Sequence, residues 1–156
     1  MKNVISILGV LFYSAIASAQ YTEANLEGKE WVLTQESDIA SMVDMTISFK
    51  NGMRICYAKL HASATDTTTI YVQNTIQKYY LSDRQEYSFD ESKWRKKSTG
   101  VYIITQDLNY MEKSSAEKIV ELTNTKIALL LLLSNKKENG VVRIGKEPTI
   151  DYFIAK

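Results

Sequence analysis

Apolar and polar residues alternate with a period of two through most of this chain, and few stretches sustain a helical period. The clearest case is Met45-Thr46-Ile47-Ser48-Phe49-Lys50, where Met45, Ile47 and Phe49 fall on one side of an extended chain. Asn51-Gly52 follows, the pair best suited to a type I′ turn, in which both central residues need positive φ. A two-residue loop there pairs Phe49 with Arg54, Ile47 with Cys56 and Met45 with Ala58. The apolar face then continues through Cys56, Ala58 and Leu60, with Cys56 an inward, inert thiol. A three-residue loop with a bulge would invert that face.

A second hairpin is predicted where Ile119 to Leu122 passes through Thr123-Asn124-Thr125-Lys126 into the run Ile127 to Leu133. A turn centred on Asn124-Thr125 pairs Leu122 with Ile127 and Val120 with Leu129. Leu129 to Leu133 is apolar on both faces and suits a strand covered on both sides. Asn139-Gly140 marks a third turn, leading into Val141 to Ile144. Pro148 interrupts the ladder because it lacks an N–H, and Ile150 to Ala155 closes the set. Glu30 to Thr34, Thr69 to Leu81 and Val101 to Thr105 also read as strands, with Ile70, Val72, Ile76 and Tyr80 sharing a face. The connections His61 to Thr68, Ser82 to Thr99, Gln106 to Ala116 and Ser134 to Asn139 are polar. Gln35 to Val43 carries a weak helical-turn signal with Ser37 or Asp38 as cap. Seven to nine short strands with turns between neighbours predict an all-β fold, a small antiparallel up-and-down β-barrel, with a β-sandwich as runner-up.

The N-terminal residues have a different pattern. Met1-Lys2-Asn3 carries one positive charge, an apolar run extends from Val4 to Ala17, and Ala17-Ser18-Ala19 supplies an A-x-A triplet. That order predicts a signal peptide over residues 1–19 and one exported domain over 20–156, periplasmic or secreted. The apolar run is too short for a membrane helix, so no transmembrane segment is expected after signal removal.

Loss of Lys2 brings the 19 lysines and arginines level with the 18 acidic residues. A neutral chain argues against nucleic acid as a partner. Cys56 is the sole cysteine, so no internal disulfide is available, and stability has to come from burial and the sheet ladder.

The residues Leu26-Glu27-Gly28-Lys29-Glu30-Trp31-Val32-Leu33 and Ile47-Ser48-Phe49-Lys50-Asn51-Gly52 resemble the exported lipocalin-like proteins of Bacteroidetes. So do Tyr79 to Asp83, Phe89-Asp90, Gly100 to Ile104 and the hairpin Ile119 to Ile127. The resemblance implies a small β-barrel with room for a pocket and no shared catalytic residues. Classical lipocalins carry G-x-W on the first strand and an arginine stacked on that tryptophan near the barrel's end. Here the spacing is Gly28-x-x-Trp31, and the last strand offers Lys156.

A barrel of this size either fills its interior with side chains or keeps a cavity for one small ligand. Trp31, Phe49, Tyr71, Tyr80 and Tyr102 are the candidate lining aromatics. The hairpin register also puts Arg54 on the apolar face beside Phe49, where a guanidinium needs a carboxylate partner; an acidic ligand such as a fatty acid is one source. Lys93-Trp94-Arg95-Lys96-Lys97 is a candidate docking patch for a glycan or protein, with Asp83, Glu86, Asp90 and Glu91 upstream as local counter-charges. His61 is the sole histidine, and no H-E-x-x-H, C-x-x-C or Gly-rich phosphate loop occurs. No catalytic residue, metal site or cofactor is therefore nominated, and an unrecognised hydrolase is a distant third reading. The favoured function is an exported lipocalin-like binding protein holding a small, mainly apolar or amphipathic ligand. The alternative is an envelope interaction protein with a filled barrel that binds a protein or glycan through its loops.

Overall fold

The structure, a computed structural model, describes residues 20–37, 39–111, 113–138, 141–145 and 148–156, with side-chain surroundings given outside 133–147. The segment read as a signal peptide and the Asn139-Gly140 turn lie outside the described residues, as does Asp38. The chain forms β1 (Tyr21–Thr22), α1 (Glu23–Leu26), β2 (Glu30–Leu33), β3 (Val43–Lys50), β4 (Met53–His61) and β5 (Thr69–Ser82). These are followed by β6 (Thr99–Gly100), β7 (Tyr102–Asp107), β8 (Lys113–Leu122), β9 (Lys126–Glu138), β10 (Val141–Gly145) and β11 (Thr149–Ala155). Strands β2, β3, β4, β5, β7, β8, β9 and β11 pair in chain order, and β11 returns to β2. The result is a closed eight-stranded antiparallel barrel of up-and-down topology.

The first hairpin forms with the two-residue loop. Phe49 pairs with Arg54, Ile47 with Cys56 and Met45 with Ala58, and both turn residues have positive φ, Asn51 at 52° and Gly52 at 73°. The second hairpin differs. Leu122 pairs with Ile127, but Leu129 pairs with Ile119, because Val120 is bulged out of the ladder and stands 52% exposed. The bulge keeps Ile119 inside, where it packs with Ile127 and Leu129. The Leu129–Leu133 run is not fully covered on both faces: Leu129 is buried, whereas Leu130, Leu131 and Leu132 are half-buried.

Strands β10 and β11 lie on the same edge of β9, β10 against Ser134–Glu138 and β11 against Lys126–Leu131. Pro148 falls between the two ladders, which end at Gly145↔Ser134 and resume at Thr149↔Leu131. This is the interruption a missing N–H requires. The strands also run further than their polar composition suggests, since β8 begins at Lys113 and β9 extends to Glu138.

One end of the barrel is plugged. Leu26 of α1 is fully buried in a layer with Trp31, Ile47, Phe49, Tyr79, Ile103 and Phe153. Burial of each such side chain is worth roughly 1.5–3 kcal/mol. Trp31 Nε1 donates to the Leu26 carbonyl at 3.1 Å, and the Tyr79 hydroxyl donates to Glu27 at 3.1 Å. The plug is clamped by the β1–β6 pair. At Gly100 the backbone passes so close to Ser82 that an added Cβ would lie 2.0 Å from the Ser82 carbonyl, so only glycine fits.

Candidate ligand-binding cavity

Above the plug the interior changes character. The inward positions of β5 become Gln77, Thr75 and Gln73, facing Asp107 on β7, Glu117 on β8, and Asp151 and Thr149 on β11. Together with Met45, Cys56, Ala58, Leu129, Leu131 and Phe153 they enclose a cavity of about 450 Å3. Its floor is Arg54, whose guanidinium lies 5.9 Å from the ring centre of Phe49. Phe49 meets Tyr79 edge-on at 5.1 Å, so the floor rests on the apolar plug.

Arg54 is 93% buried by its 7% exposure, and Nη1 donates to Glu117 Oε2 at 2.7 Å. Burial by itself would lower the Arg54 pKa. The Glu117 carboxylate, with smaller contributions from Cys56 and Asp151, reverses that and holds the guanidinium charged. Nε of Arg54 has no hydrogen-bond partner among the described residues. Below the mouth, Thr105 and Ser115 share a hydrogen bond at 2.5 Å. Burial also pushes the Cys56 thiol up; Arg54 opposes that shift and Glu117 adds to it.

The connection from Thr34 to Met42 folds across the other end. Its residues make successive turns, Ser37 N–H to Thr34, Ala40 N–H to Ser37 and Met42 N–H to Ile39. Ser37 pins it to the last strand: its Oγ donates to the Tyr152 carbonyl at 3.1 Å and accepts from the Tyr152 N–H at 2.8 Å. Ile39 thereby reaches the cavity wall.

The lining residues read from the sequence separate into three groups. Trp31 and Phe49 are inside but belong to the plug, and Arg54 alone contacts the open cavity. Tyr71 pairs with Leu60 at the far rim and is 55% exposed. Tyr80 and Tyr102 are not in the interior. They face outward, where Tyr80, Ile104 and Ala116 form a second cluster with Phe89 and Tyr102 packed against it. The loop Ser82 to Thr99 covers that outer face, and this is why an aromatic on the outside of the barrel is buried.

Glu86 is the hub of that loop. It accepts from the Tyr80 hydroxyl at 2.6 Å, Ser82 Oγ at 2.7 Å and Lys93 Nζ at 2.6 Å. Burial pushes its carboxyl up, but these three donors outweigh it and hold the pKa below the usual glutamate range. The basic stretch is correspondingly committed. Lys93 is bound to Glu86, and Trp94 Nε1 donates to the Gly52 carbonyl at 2.8 Å. Arg95 and Lys78 stand 4.4 and 4.6 Å from the Trp94 ring centre. Lys96 and Lys97 stay exposed. The patch therefore fastens its own loop over the β3–β4 turn, and its tryptophan is half-buried.

A cation stands beside Trp31, though not from the last strand. Lys29 Nζ lies 5.1 Å from the ring centre, while Lys156 pairs with Glu30 at 3.7 Å.

A wider depression of about 680 Å3 runs outside the wall along Glu27 to Glu30, β3, Ile55 and Tyr57. None of the buried polar side chains lies in it, and it is open along its length. Among the described residues no group of three or more His, Cys, Asp or Glu side chains converges as a metal site, and no helix is long and apolar enough to cross a membrane. No family model, curated protein or solved structure matches the chain.

Glu117, Gln77, Asp107 and Asp151 are among the cavity residues that sequence reading missed. A signal existed for Glu117, which shares strand parity with the inward Ile119 and so puts an acid on an apolar face, as Arg54 puts a base on one.

Proposed function

We propose that this is an exported, lipocalin-like binding protein whose barrel holds one small, mainly apolar or amphipathic molecule in its mouth. The observation that carries this reading is the cavity of about 450 Å3, a size suited to one small ligand. Its walls are divided: Met45, Ala58, Leu129, Leu131 and Phe153 supply apolar surface, while Arg54, Glu117, Gln77 and Asp107 supply hydrogen-bonding groups at one side. Such a division orients a molecule with an apolar body and a polar end. Because Glu117 already neutralises Arg54, the polar end need not be acidic; the free Nε asks only for an acceptor.

Native mass spectrometry of the protein purified from its own host tests this. A stoichiometric small mass that disappears on denaturation is the expected result. A barrel that stays empty and carries a tightly bound protein instead overturns the reading in favour of loop-mediated interaction.

A further inference from the structure

We propose that Glu117 determines which class of molecule the barrel accepts. It stands where the carboxylate of an acidic ligand would stand, so the cavity takes an uncharged amphiphile with a hydroxyl or carbonyl end and rejects carboxylates. The inference rests on the cavity being a ligand site and adds the chemistry that this site selects.

A lone arginine on the floor of an apolar-walled barrel would anchor a carboxylate, because a buried guanidinium requires an opposite charge. Here the chain supplies that charge itself. Arg54 comes from β4 and Glu117 from β8, and Glu117 Oε2 accepts from Nη1 at 2.7 Å with both side chains nearly solvent-free. Register fixes the contact. Arg54 stands opposite Gln77, which lines the cavity, and Glu117 stands opposite Ile103, which belongs to the plug. Residues directly opposite in a ladder share a face, so both charged side chains turn inward.

An incoming carboxylate would meet a guanidinium already matched and a second carboxylate beside it. Among the described residues lining the cavity, Arg54 is the one cation, so no free counter-charge offsets that repulsion. The acids are engaged as well. Asp107 Oδ1 accepts from the N–H groups of Asn109 at 2.7 Å and Tyr110 at 3.2 Å, which ties it to its own turn. Asp151 acts on Arg54 and helps to keep it charged. What the wall still offers is neutral: the hydroxyls of Thr75 and Thr149, and the amide of Gln77, which is uncommitted among the described residues. A hydroxyl or carbonyl oxygen suits these groups and the Nε donor without bringing a new charge out of water.

Isothermal titration of the protein, freed of co-purifying small molecules, with n-octanol, octanoate and octylamine at pH 7 tests this with one chain length and three end charges. Octanol should bind in the cavity, with octanoate and octylamine at least about tenfold weaker. Glu117→Gln keeps the side chain's shape and frees the guanidinium, so octanoate should then bind at least about tenfold more tightly than to wild type and overtake octanol. If that variant fails to fold by circular dichroism, the wild-type ranking alone decides. Octanoate or octylamine binding to wild type as tightly as octanol overturns this inference and leaves the binding reading standing. So does an unchanged ranking in a folded Glu117→Gln, or octanol binding that survives filling the cavity by Ala58→Phe. Failure of all three probes to bind overturns the binding reading and this inference with it.

Discussion

Arg54 and Glu117 meet at 2.7 Å inside the barrel, joining β4 to β8 across the interior between residues 63 positions apart. Both are nearly solvent-free, with side chains 8% and 12% exposed. A pair in this position adds little net stability, because desolvation offsets most of the attraction, but each charge depends on the other.

Removing one partner is therefore expected to cost more than removing both. Glu117→Ala should destabilise the barrel by about 3–5 kcal/mol by leaving the guanidinium buried and uncompensated. The double variant Arg54→Met, Glu117→Leu should lose much less. Urea unfolding of Arg54→Met, Glu117→Leu and the double variant checks the ordering; a double loss equal to the sum of the two single losses would show that the pair is uncoupled.

Filling the cavity separates ligand binding from folding. Ala58 lines the mouth and is 6% exposed. Ala58→Phe places a ring in the cavity without disturbing the plug below it. The expected outcome is loss of the co-purifying mass with a loss of stability of no more than about 1–3 kcal/mol, the usual range for a small-to-large change. Retention of the ligand at full stoichiometry would place its site elsewhere.

Cys56 should be a slow thiol. Its inward position and raised pKa leave little thiolate near neutral pH. At pH 8 a disulfide reagent should label the native protein at least about tenfold more slowly than the urea-unfolded chain. Equal rates would mean that the mouth is open to the reagent and the thiol unperturbed.

The Glu86 hub predicts a particular acid limb. A carboxyl whose pKa is lower folded than unfolded stabilises the fold above its ordinary value of 4.5, and that contribution is lost as pH falls through the lowered folded value. Glu86→Gln should thus be less stable than wild type at pH 7, with the two converging as pH falls through the lowered folded value. Thermal unfolding against pH tests this, and a constant gap at all pH values would remove the ionised Glu86 as its source.

Much of the barrel was readable from the chain because its determinants are local. Asn51-Gly52 dictates a two-residue turn through the φ values it tolerates, and the turn then sets the face of every residue from Met45 to Leu60. That register alone brought Arg54 inside beside Phe49. Where a bulge intervened, the reading slipped: the period of two says which residues share a face only while the ladder is unbroken, and Val120 breaks it.

By itself, then, the sequence determined an antiparallel meander, the first hairpin's register and an inward arginine, since alternation and turn chemistry act between near neighbours. Only the tertiary structure decided that Glu117 answers Arg54, that Tyr80 is buried from outside by the Ser82–Thr99 loop, and that the interior divides into an apolar plug and a polar-lined cavity. Alternation assigns a side to each residue, but what lies on that side is set by closure of the barrel and the path of its loops, which bring distant strands together.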